Sequence, residues 1–296
     1  MAVRRKRRIA PRALRPELAP WDSADPALVA MLLAPRYTEE RLLGRGTVAC
    51  THLVREASTG RAVVARVVHW AIARDDSARS HIRRLTRAGL ALDHPNIVRT
   101  WAMSPDTERV PWAICEFVDG ADLGTLLARQ HRLPVDLAVR VARGVASALE
   151  AAHAKGLVHG SLRPSDILVD PGTGDAKVYE FDSPLFGDLG FMGKPRYAAP
   201  EQLQDPGSGP RAPADVFALG AILHEMLTGE DPFPGGNTME QMMRKLDQPP
   251  IPLRRVRPDA PEALESLLAT LLAAEPRHRP AAAAVRAALE GLLQAG

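Results

Sequence analysis

Hydrophobic and polar positions change rhythm near Gly120. Before it, apolar residues come in short, β-branched runs, Leu42 to Val54 and Ala62 to Val68, joined by the turn-type stretch Ser58-Thr59-Gly60-Arg61. Residues 75–91 are charged and helical in character. Asp93-His94-Pro95-Asn96-Ile97-Val98 breaks that helix, and two further strand candidates follow around residues 98–103 and 111–117. Beyond Gly120, the stretches Leu137 to His153, Ala214 to Leu227, Ala263 to Leu272 and Ala281 to Leu293 carry apolar residues at helical spacing. The Pro-Gly-rich segments 204–213 and 229–237 read as connecting loops. Near the N-terminus, Asp25-Pro26 caps the short helical run Ala27 to Leu33, which ends before Pro35. That helix is expected to pack on the outside of the domain that follows, or else to serve as an interaction helix. Strands first and helices later predict an α+β protein with two lobes, and no repeat of solenoid period is present.

The chain has 296 residues, enough for one two-lobed domain or two small ones. Its 46% hydrophobic and 25% charged residues are ordinary for a globular protein. The two cysteines, Cys50 and Cys115, have no metal-ligand spacing, which argues against a disulfide framework or a zinc site. No apolar run approaches the roughly 20 residues of a spanning helix, and the N-terminus lacks a signal-peptide core. A reducing, cytoplasmic location is the expectation. The net charge of +3 hides an uneven distribution. Residues 1–20 hold Arg4, Arg5, Lys6, Arg7, Arg8, Arg12 and Arg15 against Glu17 alone, which leaves the rest with 31 of the 38 basic residues and 34 of the 35 acidic ones. The tail reads either as a solubilising, disordered terminus or as an arm for an acidic partner or anionic lipid. It has no aromatic residue to stack on bases, which counts against nucleic acid.

The chemistry-bearing stretch is His159-Gly160-Ser161-Leu162-Arg163-Pro164-Ser165-Asp166-Ile167-Leu168-Val169, a polar loop between the helical run Val135 to Lys155 and a short strand, Ala176 to Tyr179. Upstream lie Leu43-Gly44-Arg45-Gly46-Thr47-Val48-Ala49, then Val63-Val64-Ala65-Arg66, then Ala113-Ile114-Cys115-Glu116-Phe117-Val118-Asp119-Gly120. Downstream come Glu180-Phe181-Asp182, Ala199-Pro200-Glu201, Asp215 ahead of Val216-Phe217-Ala218-Leu219-Gly220, and His278-Arg279-Pro280. In this order and spacing, from about Tyr37 to Leu293, they resemble the motifs of the bacterial-type (Hanks-type) Ser/Thr protein kinase family. The resemblance implies a bilobal protein-kinase-like fold, with a small, mostly-β N-lobe carrying one main helix and a larger, mostly-α C-lobe. The corresponding division is residues 1–36 as basic tail and short helix, 37–117 as N-lobe and 118–296 as C-lobe.

By that resemblance Gly44, Gly46, Val64, Arg66, Glu116, Val118 and Leu168 are the nucleotide-binding positions. Asp166 and Glu180 are metal positions for Mg²⁺. His159, Phe181, Glu201, Asp215 and Arg279 are structural, with Arg279 placed to pair with Glu201. The departures fall on the chemistry. Ser161 stands at the catalytic base, Arg163 at the catalytic-loop lysine and Gly160 at the arginine that would receive an activation-loop phosphate. Arg66 replaces the phosphate-holding lysine, a non-conservative change at a tight site. Its usual glutamate partner falls on Leu85, and the stretch from Ser80 to Leu92 has no acidic residue. Val64 narrows the adenine position, and Cys115, at the gatekeeper, either opens a back pocket or is a buried apolar cysteine. Ser183 to Ala199 contains no threonine and offers only Ser183 and Tyr197 as hydroxyl acceptors.

These losses point to a pseudokinase, a kinase fold used as a regulatory or scaffolding signalling module. The alternative is an active or weakly active phosphotransferase in which Asp166, Glu180 and Asp182 take over the lost roles. ATP and Mg²⁺ are the candidate cofactors. Arg66 paired with Glu180 would close the phosphate region, whereas Asp166 and Glu180 sharing a metal would open it to ATP. The expected partner is another kinase or signalling protein, met through the tail, the helix Asp25 to Leu33, or a face carrying Met239, Met242 and Met243. For those methionines, a helix that packs inward is the competing expectation.

Overall fold

The structure, a computed structural model, describes residues 22–170, 172–179, 181, 196–205 and 211–295. They form two compact units, one made of the chain up to Arg83 with Ala102–Phe117, the other of Arg84–Trp101 with Val118 onward.

The first unit is built on a five-stranded sheet in the order β1-β2-β3-β5-β4. Helix α1 (Pro26–Leu33) precedes it; Asp25 caps it by accepting the Ala27 N–H, and Leu28, Val29 and Leu33 are buried. Strands β1 (Tyr37–Arg45), β2 (Ala49–Glu56) and β3 (Ala62–Val68) follow as antiparallel neighbours. The apolar run Leu42 to Val54 thus divides into two strands, turning at Gly46, whose N–H donates to Ala49 O at 2.9 Å. A Cβ on Gly46 would sit 3.0 Å from that carbonyl, so the close turn favours glycine. A short helix α2 (Trp70–Ala73) leads to α3 (Asp76–Gly89), then β4 (Thr100–Met103) and β5 (Trp112–Glu116). Buried Arg83 secures α3 by donating to Pro105 O at 2.5 Å and to Glu108 O.

The second unit begins with a small sheet of β6 (Ala121–Asp122), β7 (Ile167–Val169) and β8 (Ala176–Val178). Its helices are α4 (Leu123–Gln130), α5 (Val135–His153), α6 (Pro200–Gln204), α7 (Ala212–Thr228), α8 (Thr238–Asp247), α9 (Leu253–Val256), α10 (Glu262–Leu271) and α11 (Ala282–Ala295). The core is helical: α5 and α7 bury nearly continuous apolar faces, including Val145, Leu149, Phe217, Leu219 and Leu223. Together the units make the α+β, strand-then-helix architecture that the hydrophobic rhythm predicts. The inward-packing expectation for the methionines is corrected at two of three positions, since Met239 and Met243 are 63% and 50% exposed. On α8 it is Lys245 that turns inward.

Candidate functional site

The sheet unit carries the first set of candidate residues. Strand alternation puts Val63, Ala65 and Val67 fully into the core, while Val64 and Arg66 share the opposite face and are half-buried. The register sets Val64 opposite Leu53 and Cys115, and Arg66 opposite Thr51 and Ala113. Cys115 is buried and outside any disulfide, matching the apolar of its two readings. Gly44 and Gly46 are exposed at the β1–β2 turn, and Glu116 ends β5 opposite Val63. Leu85, at the position of the expected glutamate, lies on α3, in which Asp76 is the sole acidic residue.

The helical unit carries the second set. Asp215, near the start of α7 and 1% exposed, is a single carboxylate holding three donors. Its Oδ2 accepts the His159 N–H at 2.9 Å and lies 2.8 Å from His153 Nε2; its Oδ1 accepts the Gly160 N–H at 2.6 Å. His159 is buried, with Nε2 3.0 Å from Tyr179 O and its ring edge-on to Phe181 at 5.2 Å. Gly160 has φ +77°, the left-handed region open to glycine. Its carbonyl accepts from Gln202 Nε2 at 2.7 Å, and Gln202 Oε1 accepts the Ala199 N–H at 3.0 Å.

Between this anchor and β7, the loop turns through a single 3₁₀ turn, Pro164–Asp166. Ser161 is half-buried, and among the described residues its hydroxyl has no hydrogen-bond partner and hence no base to activate it. Asp166 is 1% exposed. Its Oδ1 accepts from Arg163 Nε at 3.1 Å and from the Ser165 hydroxyl at 3.3 Å, with His159 Nε2 3.9 Å from Oδ2. Burial pushes its carboxyl up from the usual range, opposed by His159 and Arg163. Leu168 is half-buried on β7, and Val118 lies just past the boundary at Phe117.

Asp166 offers Mg²⁺ a hard oxygen, but the side of the carboxylate shown here is held by Arg163 and Ser165. Among the described residues no three His, Cys, Asp or Glu side chains converge on one point. Glu180, Asp182 and Ser183 lie outside the described residues, and so do the Arg66–Glu180 pair and the shared-metal arrangement.

The structural positions are tightly engaged. Arg279 forks onto Glu201 at 2.6 and 2.9 Å, donates to the carbonyls of Ala273, Ala274 and Pro213, and lies over the Phe217 ring. Tyr197, 9% exposed, donates to Glu225 at 2.7 Å, and burial first, then Glu225, raises its pKa. It is a poor phosphate acceptor as held. Arg196 pairs with Glu225 at 3.2 Å and Asp231 at 3.6 Å, beside a cavity of about 320 Å³ that also touches Arg163, Ser165 and His131.

Three residues of this unit escaped the sequence reading: His153, Gln202 and Lys245. A signal existed for Gln202, which stands three residues after Ala199 at the first turn of α6, where a glutamine reaches back to the helix start. His153 and Lys245 sit in helical runs where a polar residue gives no hint of a distant partner.

The protein kinase domain family model matches residues 37–288. Similar characterised proteins include serine/threonine-protein kinase pkn3 of Myxococcus xanthus, 31% identical over 271 residues, covering 86% of this chain and 49% of the relative. Serine/threonine-protein kinase PkaB of Streptomyces coelicolor is 33% identical, covering 90% of this chain and 65% of the relative. Serine/threonine-protein kinase PknB of Mycobacterium leprae is 29% identical, covering 83% of this chain and 41% of the relative. This chain therefore spans roughly half to two thirds of the length of the first of these relatives. Among the described residues no helix is long and apolar enough to cross a membrane.

Proposed function

Since the chain belongs to the protein kinase domain family, alongside bacterial serine/threonine kinases, we propose that it acts as a pseudokinase, a regulatory signalling module rather than a phosphotransferase. The observation that carries this reading is the catalytic loop itself. Ser161 occupies the base position without a partner among the described residues, in a loop whose anchoring by Asp215 is fully formed. Kinase chemistry relies on positioning and charge neutralisation: a carboxylate orients the acceptor hydroxyl, a lysine holds the α- and β-phosphates, and metal ions bridge the β- and γ-phosphates. A serine hydroxyl cannot take up a proton at neutral pH, and loss of a positioned base costs about 10²–10⁴ in rate.

ATP binding is part of the proposal, with Gly44, Gly46, Val64 and Arg66 as the candidate positions of the sheet unit. Mg²⁺, when bound, would neutralise phosphate charge. Asp166 would hold it in competition with Arg163, which occupies Oδ1. The second reading, weak phosphotransfer, draws on one fact: a buried carboxylate, Asp166, stands five residues after Ser161 in the same loop. The partner we propose is a kinase or other signalling protein, reached through the basic tail or the exposed methionines of α8; location in the cytoplasm belongs to the same proposal.

The test pairs a thermal-shift titration of ATP, with and without Mg²⁺, with a radiolabelled phosphotransfer assay on a generic basic protein. At a hundredfold excess over its Kd, ATP should stabilise the protein by about 2.7 kcal/mol. The expected outcome is a shift with no turnover. Turnover that disappears in Asp166→Ala would overturn the pseudokinase reading in favour of the second.

A further inference from the structure

The Gly-rich loop, Leu43 to Ala49, is fastened by His69, which Ser23, ahead of the kinase match, holds in turn. His69, directly after β3, donates its backbone N–H to Val48 O at 2.9 Å and places its ring Nε2 2.7 Å from Gly46 O. A carbonyl only accepts, so Nε2 carries a proton. The other ring nitrogen, Nδ1, lies 2.6 Å from the hydroxyl of Ser23. With a neutral ring the hydroxyl donates to Nδ1. With a charged ring Nδ1 donates instead, and the hydroxyl hydrogen can turn to Cys50 Sγ at 3.4 Å. The link from Ser23 to Gly46 is satisfied in both forms.

Ser23 is itself held in place. It is 2% exposed, and its carbonyl accepts from Nε2 of buried His52 at 2.8 Å, while His52 Nδ1 lies 2.7 Å from Glu39. Asp22, one residue earlier, accepts from Arg45 of the loop at 3.3 Å and from the Ala24 N–H at 2.9 Å. Helix α1, which starts three residues after Ser23, seats this segment through Leu28, Val29 and Leu33.

We propose that Ser23 and His69 are positioning residues for the Gly-rich loop. They fix the Gly46 carbonyl, and with it the direction of the neighbouring amides, through a segment outside the kinase match. The proposal rests on the nucleotide-binding reading above. A glycine turn is intrinsically free, and holding it in one orientation before the ligand arrives lowers the ordering cost of binding.

Hydrogen–deuterium exchange on the full chain tests this with Ser23→Ala, His69→Phe and the hydroxyl-retaining Ser23→Thr. Losing one net hydrogen bond should speed exchange of the amides at 46–48 by about fivefold in Ser23→Ala. His69→Phe should match it or exceed it, Ser23→Thr should stay near wild type, and β3 and β5 should be unchanged in Ser23→Ala. ATP affinity should fall by a similar factor in Ser23→Ala. Unchanged loop exchange, equal acceleration throughout the sheet, or a Ser23→Thr variant as fast as Ser23→Ala would each overturn the proposal. Faster loop exchange in a protein whose wild type binds no ATP would support the clamp and overturn the nucleotide-binding reading instead.

Discussion

At position 160 the family pattern has an arginine and this chain a glycine, and the backbone supplies a reason. Gly160 sits at φ +77° with its N–H on Asp215 and its carbonyl on Gln202. A side chain in the left-handed region costs about 1–2 kcal/mol. Gly160→Ala should therefore lose about that much stability, seen as a lower urea midpoint with unchanged slope. The arginine cannot be regained without the same strain. Lys245 is a residue of a different kind. Its Nζ donates to Arg196 O at 2.9 Å and Ala198 O at 2.8 Å and lies over the Phe217 ring, inside the protein. Burial lowers its pKa to about 8, Asp231 opposing and Arg196 assisting. In the unfolded chain the amine stays protonated to about pH 10.4. Between pH 8 and that value the unfolded state binds more protons, so stability rises with pH in this window. Against Lys245→Met, which lacks the titration, the wild type should gain up to about 3 kcal/mol across that range. Urea denaturation at pH 7.5 and 10 reads it, and a difference that does not move with pH contradicts it.

Among the elements, α7 does the most to shape the candidate site. Its Asp215 holds both the His159 and Gly160 amides, and Arg279 packs on its Phe217 while gripping Glu201. Asp215→Ala would leave two buried amides unsatisfied at about 1–3 kcal/mol each. The expected result is a loss of several kcal/mol, with exchange accelerated first at residues 159–162. A loss without local acceleration would mean the carboxylate supports α7 rather than the loop. Asp215 and the Arg279–Glu201 pair were legible in the sequence because each sits inside a motif of fixed spacing. The long helices were legible too, since 17 and 19 residues at helical period leave little ambiguity. Strands β1 and β2 were not separated, because the apolar rhythm continues through the hairpin and Gly46, rather than a proline or asparagine, makes the turn. The eight-residue α4 was missed while α1, of equal length, was read, because α1 opens on Asp-Pro and α4 has no proline in its first turn. The Ser23–His69–Gly46 link spans 46 residues between its side chains, and no local pattern records a contact of that kind.

By the family resemblance the departures fall on groups of the reaction, and they are spread over both units. On the proposed reading Arg66 and Leu85 stand at phosphate positions, Ser161 at the base and Asp166, beside Arg163, at a metal position. Such groups act as a set in catalysis, so restoring one of several missing members recovers little, and effects are far from additive. Ser161→Asp alone should leave phosphotransfer at background, because the acceptor hydroxyl that a base orients has no positioned phosphate to attack. Arg66→Lys with Leu85→Glu should likewise stay at background while improving ATP affinity. The combination of all three, with Asp166→Asn to free the metal position from Arg163, should rise above every partial variant by more than the product of their separate effects. Turnover in Ser161→Asp alone would show that the phosphate and metal positions are already competent, and that the base was the one element missing. No turnover in the full combination, with ATP still bound, would place the block outside these four positions. Asp215, Glu201 and Arg279 stand in place with their partners, while Ser161, Arg66 and Leu85 stand where the family resemblance puts groups of the reaction.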